Sequence, residues 1–309
     1  MPASLVLLLP RRAVLAGPER LPALERILAR GVRLPLDAAR GHPWLEHLID
    51  LPRRPWPWAA ITRAADAGDA GQGVWLRADP AHVRADIAGA RLLAVGDLGL
   101  AAQESAALQR TLAPLFGDLG FECSAPRPER WYLRLPPGAE MPHFSPPWQA
   151  LGEDVRAHLP QGGPAARWQR VMNECQVVLH DHPVNQARAA AGRMTANSLW
   201  FWGGGSAPTR VSARIDAVAS EDPLLSALAA AAGVPVSRSA TAGPARQLLD
   251  LRALRDPRAL DAAWIEPAWR ALRLGELATL EALFADGEAF RVGRAAAFAA
   301  WRRPRPLAS

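Results

Sequence analysis

Five consecutive aliphatic residues, Leu5–Leu9, are followed at once by Pro10, Arg11 and Arg12. So short and continuous an apolar run has the pattern of a buried strand. It is too short to span a bilayer, and its basic residues follow it, the wrong order for a secretory leader. Gly17 and Pro18 then break the chain. In Pro22–Arg30, Leu24, Ile27 and Leu28 fall on one helical face, and Gly31 stands where a C-cap belongs.

The same alternation returns along the chain. Val74–Leu76, Leu92–Val95, Arg130–Leu135, Gln176–Leu179 and Ser198–Trp202 read as strands, the last stopped by Gly203, Gly204 and Gly205. Ala101–Phe116 reads as an amphipathic helix with Pro114 as an early stop, and Ala165–Glu174 as another helix. Asp66–Gly73 reads as a loop. Val211–Val218 and Leu248–Leu254 read as strands around a helix at Leu224–Ala232, and Asp256 with Pro257 marks a further helix start. Short strands interleaved with helices point to an α/β or α+β protein. No internal repeat is visible.

Composition excludes several chemistries. A length of 309 residues suggests about two domains. Cys123 and Cys175 make neither a disulfide framework nor a Cys-x-x-Cys pair. All 36 basic residues are arginine, which excludes a Schiff-base or P-loop lysine. The net charge of +6 is scattered, as on a solvated surface, and argues against a nucleic-acid partner. The densest basic cluster is Arg302, Arg303 and Arg305, beside Trp301. No stretch of 18 uninterrupted apolar residues is present, so no membrane partner is expected and a cytoplasmic protein is. No Gly-x-Ser-x-Gly elbow occurs, and Gly203–Gly205 fails the dinucleotide fingerprint because Pro208 stands where its last glycine belongs.

The most unusual stretch is Asn173–Pro208. His180 and His182, two apart, would point the same way on a strand. Two histidines are too few for a tight zinc site, so no metal and no cofactor is expected. The other reading is a turn set by Pro183 and Asn185. Arg188 either forks onto a carboxylate or phosphate or is a surface helix arginine. Asn185 and Asn197 are polar groups flanking an apolar run. Trp200, Phe201 and Trp202 read as core packing.

The stretch HDHPVNQARAAAGRMTANSLWFWGGGSAP resembles the archaeal-type, cofactor-independent phosphoglycerate mutases. It is similar, more closely, to a proteobacterial offshoot, the RpfE-type regulatory proteins, whose patterns LRADPAH, RWYLRL, NECQVVLHDHPVN and NSLWFWGGG occur here in order. The resemblance covers Val74–Pro208 strongly and the flanks weakly. It implies the alkaline-phosphatase-like α/β fold, a mixed sheet flanked by helices with an inserted second lobe. The implied division is a phosphatase-like lobe at 1–73 plus 206–309 and a substrate lobe at 74–205.

Departures from that family bear on mechanism. It places Asp-Gly at the end of its first strand to bind metal; this chain has Pro10 and Arg11. It needs an early Ser or Thr nucleophile; between Ser4 and Ser105 the aliphatic hydroxyl is Thr62 alone. It draws histidine ligands from its distal half; the last histidine here is His182. A two-metal site needs a clustered set of such groups. Resemblance and departures together imply a non-catalytic regulatory or small-anion-sensing protein. Its contacts to a phosphorylated ligand would be His180, His182, Asn185, Arg188 and Asn197, with Arg84 a further one. Reversing Arg188 to Glu should then abolish anion binding and leave the fold intact. Two rivals stand beside this reading. One is a working metal-dependent mutase or phosphatase with rebuilt ligands. The other is a protein-interaction module using the segments Trp44–Trp58 and Trp264–Trp301 on a regulatory partner.

Overall fold

A computed structural model describes residues 3–36, 43–52, 55–86, 89–240, 243–299, 301 and 307. The chain divides into a split unit, Met1–Pro52 with Arg210–Ser309, and a continuous unit, Arg53–Thr209. In chain order the strands are β1 (Ala3–Leu9), β2 (Val32–Arg33), β3 (Ile49–Asp50), β4 (Val74–Asp86), β5 (Gly89–Val95), β6 (Glu122–Arg127), β7 (Arg130–Leu135), β8 (Ser198–Ser206), β9 (Ser212–Ala213), β10 (Ala217–Ala219), β11 (Val236–Ser237), β12 (Arg246–Asp250), β13 (Leu277–Phe284) and β14 (Ala289–Gly293). The fold is mixed α/β, sheets flanked by helices. No helix among the described residues is long and apolar enough to cross a membrane.

The split unit is built on a seven-stranded sheet of order β11-β10-β12-β1-β13-β14-β2. β1 lies between β12 and β13 and is parallel to both. β10 and β11 continue the parallel set, while β14 runs antiparallel to both of its neighbours, β13 and β2. A central parallel strand is covered on both faces, which is why its sequence is a continuous apolar run. Val6 to Leu9 are all buried. Leu7 and Leu9 pack with Leu24, Ile27 and Leu28 of the helix Pro22–Arg30 and with Trp269 and Leu272. That helix has the bounds read from its sequence. Leu21 gives it no side-chain cap; instead Asp261, distant in sequence, accepts from the amides of Ala23 and Leu24 at 3.1 and 2.9 Å.

The continuous unit has the sheet order β5-β4-β7-β6, with β8 also on β4. β4 pairs with β8 along one side and, on the other, first with β7 (Val74–Arg77) and then with β5 (Ala81–Asp86). Pro80 falls where the partner changes, where its missing N–H costs the ladder least. The helices Ala102–Asp118 and Ala165–His180 cover one face through Leu108, Leu112, Phe116, Trp168, Met172 and Cys175. On the other face lies a buried ion pair. Arg77 forks onto Asp79 with Nε···Oδ1 2.9 Å and Nη2···Oδ2 2.8 Å. Asp79 also accepts from the Trp202 indole at 2.7 Å and the Trp131 amide at 3.2 Å.

Several local expectations are corrected. Gln176–Leu179 is the last turn of the helix Ala165–His180, not a strand. Pro114 lies inside the helix Ala102–Asp118 without ending it. Val211–Val218 is not one strand but β9 and β10 with a break between.

Gly203–Gly205 does not stop β8, which runs on to Ser206. These glycines permit close approach. Gly203 sits at φ +67°, and a Cβ there would lie 2.8 Å from the Trp58 Cβ. On Gly204 it would meet the Met141 Sδ at 2.6 Å, and on Gly205, at φ +143°, the Pro57 Cβ at 2.8 Å. Gly203→Ala therefore combines backbone strain with overpacking and should cost about 2–4 kcal/mol. Gly99 has a similar φ of +62° but open space around it. Gly99→Ala should cost only the strain, about 1 kcal/mol. Urea unfolding of the two variants checks the difference.

Candidate functional site

The residues singled out by the resemblance fall on one supporting structure in the continuous unit. His180 ends the helix Ala165–His180 with an exposed side chain beside the equally exposed Asp181. His182 is the N-cap of the next helix, Pro183–Ala190. The two histidines therefore lie at a helix–helix corner and not on a strand, so they do not form the two-histidine edge a strand would give. Asn185 is buried, donates to Leu179 O and Ala196 O at 2.8 and 2.9 Å, and accepts from the Ala196 amide at 2.8 Å. Asn197 accepts from the Val83 amide at 2.9 Å and donates to Val83 O at 2.8 Å. Arg84, next along β4, is exposed and stands opposite Arg91 of β5.

Arg188 is 1% exposed. Its Nε donates to Met194 O at 2.7 Å, and its Nη1 to Glu104 at 2.7 Å and Gly99 O at 3.2 Å. Its Nη2 donates to Leu98 O. Glu104 in turn accepts from the Ala101 amide, starting the helix Ala102–Asp118, and from Arg193. Burial pushes the Glu104 carboxyl up, but the Ala101 amide, Arg188 and Arg193 together hold it below the usual carboxylate range. His82 Nδ1, at 2.9 Å from Thr195 O, completes the set. Asn185, Arg188 and His82 thus hold the backbone of Met194–Ala196, and the Asn197 side chain ties the next residue to β4. This is a clamp whose polar groups are already engaged; an anion reaching Arg188 would have to displace Glu104.

His182 carries a pH dependence. Its Nδ1 accepts from the Val184 amide at 3.1 Å, so the neutral ring carries its proton on Nε2, which donates to Thr111 Oγ1 at 3.0 Å. Burial holds its pKa below the ordinary histidine value. A folded pKa below the unfolded one gives stability that is complete above the unfolded value, about 6.5, and is lost as pH falls through the folded value. His182→Ala should cost about 1 kcal/mol at alkaline pH, as a lost N-cap does. It should also flatten the stability profile between about pH 8 and pH 5, which urea unfolding at stepped pH would read.

The split unit offers a different arrangement. Open α/β sheets take ligands beyond the carboxyl ends of their parallel strands. Here that edge is filled with arginine–carboxylate pairs. After β1, the Arg12 amide donates to Asp286 at 2.8 Å and its Nη1 to Glu288 at 2.9 Å. After β10, Ser220 Oγ donates to Asp250 Oδ2 at 2.7 Å, and Asp222 caps the helix Pro223–Ala231. After β12, Arg252 donates from Nε to Asp250 Oδ1 at 2.8 Å, and from Nη2 to Asp250 Oδ2 at 2.7 Å and Asp222 Oδ2 at 2.9 Å. The guanidinium lies over the Trp44 ring, 4.9 Å from its centroid. Burial alone would lower the Arg252 pKa; Asp250 and Asp222 raise it. A cleft of about 510 Å³ opens beside this network, lined among others by Glu221, Arg238, Arg252 and Trp264.

These residues do not fit a two-metal phosphoryl-transfer centre. Such a centre needs free carboxylates and imidazoles that converge. Asp222 and Asp250 are bridged by Arg252, and among the described residues no three His, Cys, Asp or Glu side chains form a metal-holding group. Thr62 is buried, donates to Trp58 O at 2.8 Å and accepts from Arg77 at 3.1 Å, so its hydroxyl is structural.

The tryptophan segments divide. Trp44, Trp56 and Trp58 are buried, Trp58 against the Trp148 ring, so these three rings serve as core packing. Trp269 is buried as well, whereas Trp264 and Trp301 are exposed. Arg302, Arg303 and Arg305 lie outside the described residues. Sequence reasoning missed Ser220, Asp222, Asp250 and Arg252. Asp222-Pro223 carries the same cap-and-proline signature that marked Asp256-Pro257, and could have fixed one strand end.

Comparison with known proteins finds partial sequence matches and distant structural likenesses. No protein-family model matches the chain. A probable 2,3-bisphosphoglycerate-independent phosphoglycerate mutase of Geobacter sulfurreducens is 42% identical over 67 residues, 22% of this chain and 17% of that protein. The 2,3-bisphosphoglycerate-independent phosphoglycerate mutase of Methanothrix thermoacetophila is 37% identical over 65 residues, 21% of this chain and 17% of that protein. The match thus spans about a sixth of the length of these relatives, and over that stretch the chain is related to them. Among solved structures, the cofactor-independent phosphoglycerate mutase from Thermoplasma acidophilum aligns with TM-score 0.39 and 16% identity, covering 94% of this chain and 89% of that one. The PH0037 protein from Pyrococcus horikoshii aligns with TM-score 0.43 and 13% identity, covering 94% and 87%.

Proposed function

We propose that this chain is a non-catalytic, phosphoglycerate-mutase-like protein that acts by binding and not by turnover. The observation that carries this reading is Arg252, which cross-links Asp222 and Asp250 at the carboxyl ends of the parallel strands. A carboxylate held this way is a poor metal ligand, because binding a cation there requires displacing a guanidinium already fixed by several hydrogen bonds. Arg12 at the end of β1, paired to Glu288, supports the same reading.

The RpfE-like patterns of the continuous unit support a regulatory role, with a small phosphorylated anion and a protein partner as its inputs, in the cytoplasm. Arg84 and His180, both exposed, would be its contacts, and Asn197, bonded to Val83, and Asn185, bonded to Leu179, would hold the backbone beside them.

The test is turnover of 3-phosphoglycerate and of p-nitrophenyl phosphate by the metal-stripped protein, each with manganese, magnesium or zinc restored. No metal-dependent product above the protein-free rate is the expected result. Turnover of either compound that a chelator abolishes would overturn the reading.

A further inference from the structure

The cleft at the carboxyl ends of β10, β11 and β12 holds charges that the Asp222–Arg252–Asp250 network leaves unused. Glu221 and Arg238 both line it, both are exposed, and neither has an ion-pair partner among the described residues. Arg252 spends Nε and Nη2 on the two carboxylates, and its Nη1 makes no hydrogen bond among the described residues. Trp264, 37% exposed, supplies an aromatic wall.

Charge decides what such a cleft accepts. Glu221, Asp222 and Asp250 against Arg238 and Arg252 leave it with one net negative charge. A simple anion would add to that charge and face Glu221 without compensation. A simple cation would leave Arg238 unanswered. A molecule carrying both charges meets both groups and leaves the balance unchanged. Its carboxylate would take charge-assisted bonds from Arg238 and the free Nη1 edge of Arg252. Its ammonium would face Glu221, and an apolar body would lie on Trp264. The cleft volume of about 510 Å³ is ample for one small molecule.

We propose that this cleft binds a zwitterionic α-amino acid with an apolar side chain. The proposal rests on the reading of the chain as a binding protein. It adds a ligand class and a site distinct from the clamp residues of the continuous unit.

Isothermal titration of the full chain with L-phenylalanine, L-leucine and L-tryptophan tests it. 3-Phenylpropionate, which lacks the ammonium, and phenethylamine, which lacks the carboxylate, are the controls. Glu221→Gln and Arg238→Gln are the variants; both side chains are exposed, and an unchanged unfolding midpoint confirms the fold. At least one amino acid should bind with 1:1 stoichiometry. Each variant should weaken it about tenfold, and for phenylalanine each control compound should be weaker by a similar factor. No binding of any of the three, binding that either variant leaves unchanged, or 3-phenylpropionate binding as well as phenylalanine would overturn the proposal. Metal-dependent turnover with amino-acid binding intact would sink the non-catalytic reading alone. Absent turnover with absent amino-acid binding would sink this proposal alone.

Discussion

Asp79→Ala is expected to destabilise the continuous unit by about 3–5 kcal/mol, because it leaves a buried guanidinium without its counter-charge. Arg77 and Asp79 are both almost fully buried, and the carboxylate also receives the Trp202 indole and the Trp131 amide. Removing Asp79 strands three donors at once. The paired change Arg77→Met with Asp79→Leu removes both charges and should recover much of the loss, since a buried ion pair and an apolar pair of similar volume are often close in stability. Urea unfolding of the two single variants and the double variant closes the cycle. A double variant as unstable as the sum of the singles would show that the two side chains do not act as a pair.

Arg188 gives the second large effect. Arg188→Ala removes a buried guanidinium that serves Leu98 O, Gly99 O, Met194 O and Glu104, and leaves Glu104 with the Ala101 amide and Arg193 alone. The cost should be about 3–5 kcal/mol. Arg188→Glu should cost more, since it sets a second carboxylate against Glu104. The expectation drawn from the resemblance, that this reversal spares the fold, is therefore turned around. Arg188→Lys should be intermediate, since one ammonium cannot reproduce a fork that reaches four acceptors. Hydrogen exchange at Met194–Asn197, together with unfolding midpoints, measures the loss. An Arg188→Glu protein with the native midpoint would remove the clamp from consideration.

These two residues show what a sequence can and cannot reveal here. Elements whose signal is local were legible. Pro22–Arg30 has a proline at N1 and a clean apolar face, and Arg130–Leu135 alternates over its whole length. Gln176–Leu179 imitates a strand because valines and leucine follow one another in a short run. The longer register Trp168, Met172, Cys175, Leu179 carries the helical period, and Val177 is exposed. The apolar run shows only the first three residues of β4, because Arg77 and Asp79 follow it; the change of partner strand explains why Pro80 is tolerated further on.

Site residues were harder for a different reason. Arg188 in a sequence reads as a free cation, and nothing local says that Glu104 waits 84 residues away. Asp250 and Arg252 likewise acquire their meaning from Ser220 and Asp222, 30 residues earlier. Polar chemistry is set by partners, and the partners come from tertiary structure.

The position of β1 has a consequence for how the molecule is made. Its two neighbours, β12 and β13, are encoded more than 230 residues downstream. At translation rates of about 5–20 residues per second, the strand leaves the ribosome roughly ten seconds to a minute before either can pair with it. The whole of Arg53–Thr209 emerges in that interval. The most apolar segment of the nascent chain therefore spends its early life without its sheet, and a ribosome that stalls before β12 releases a protein whose central strand has nowhere to go.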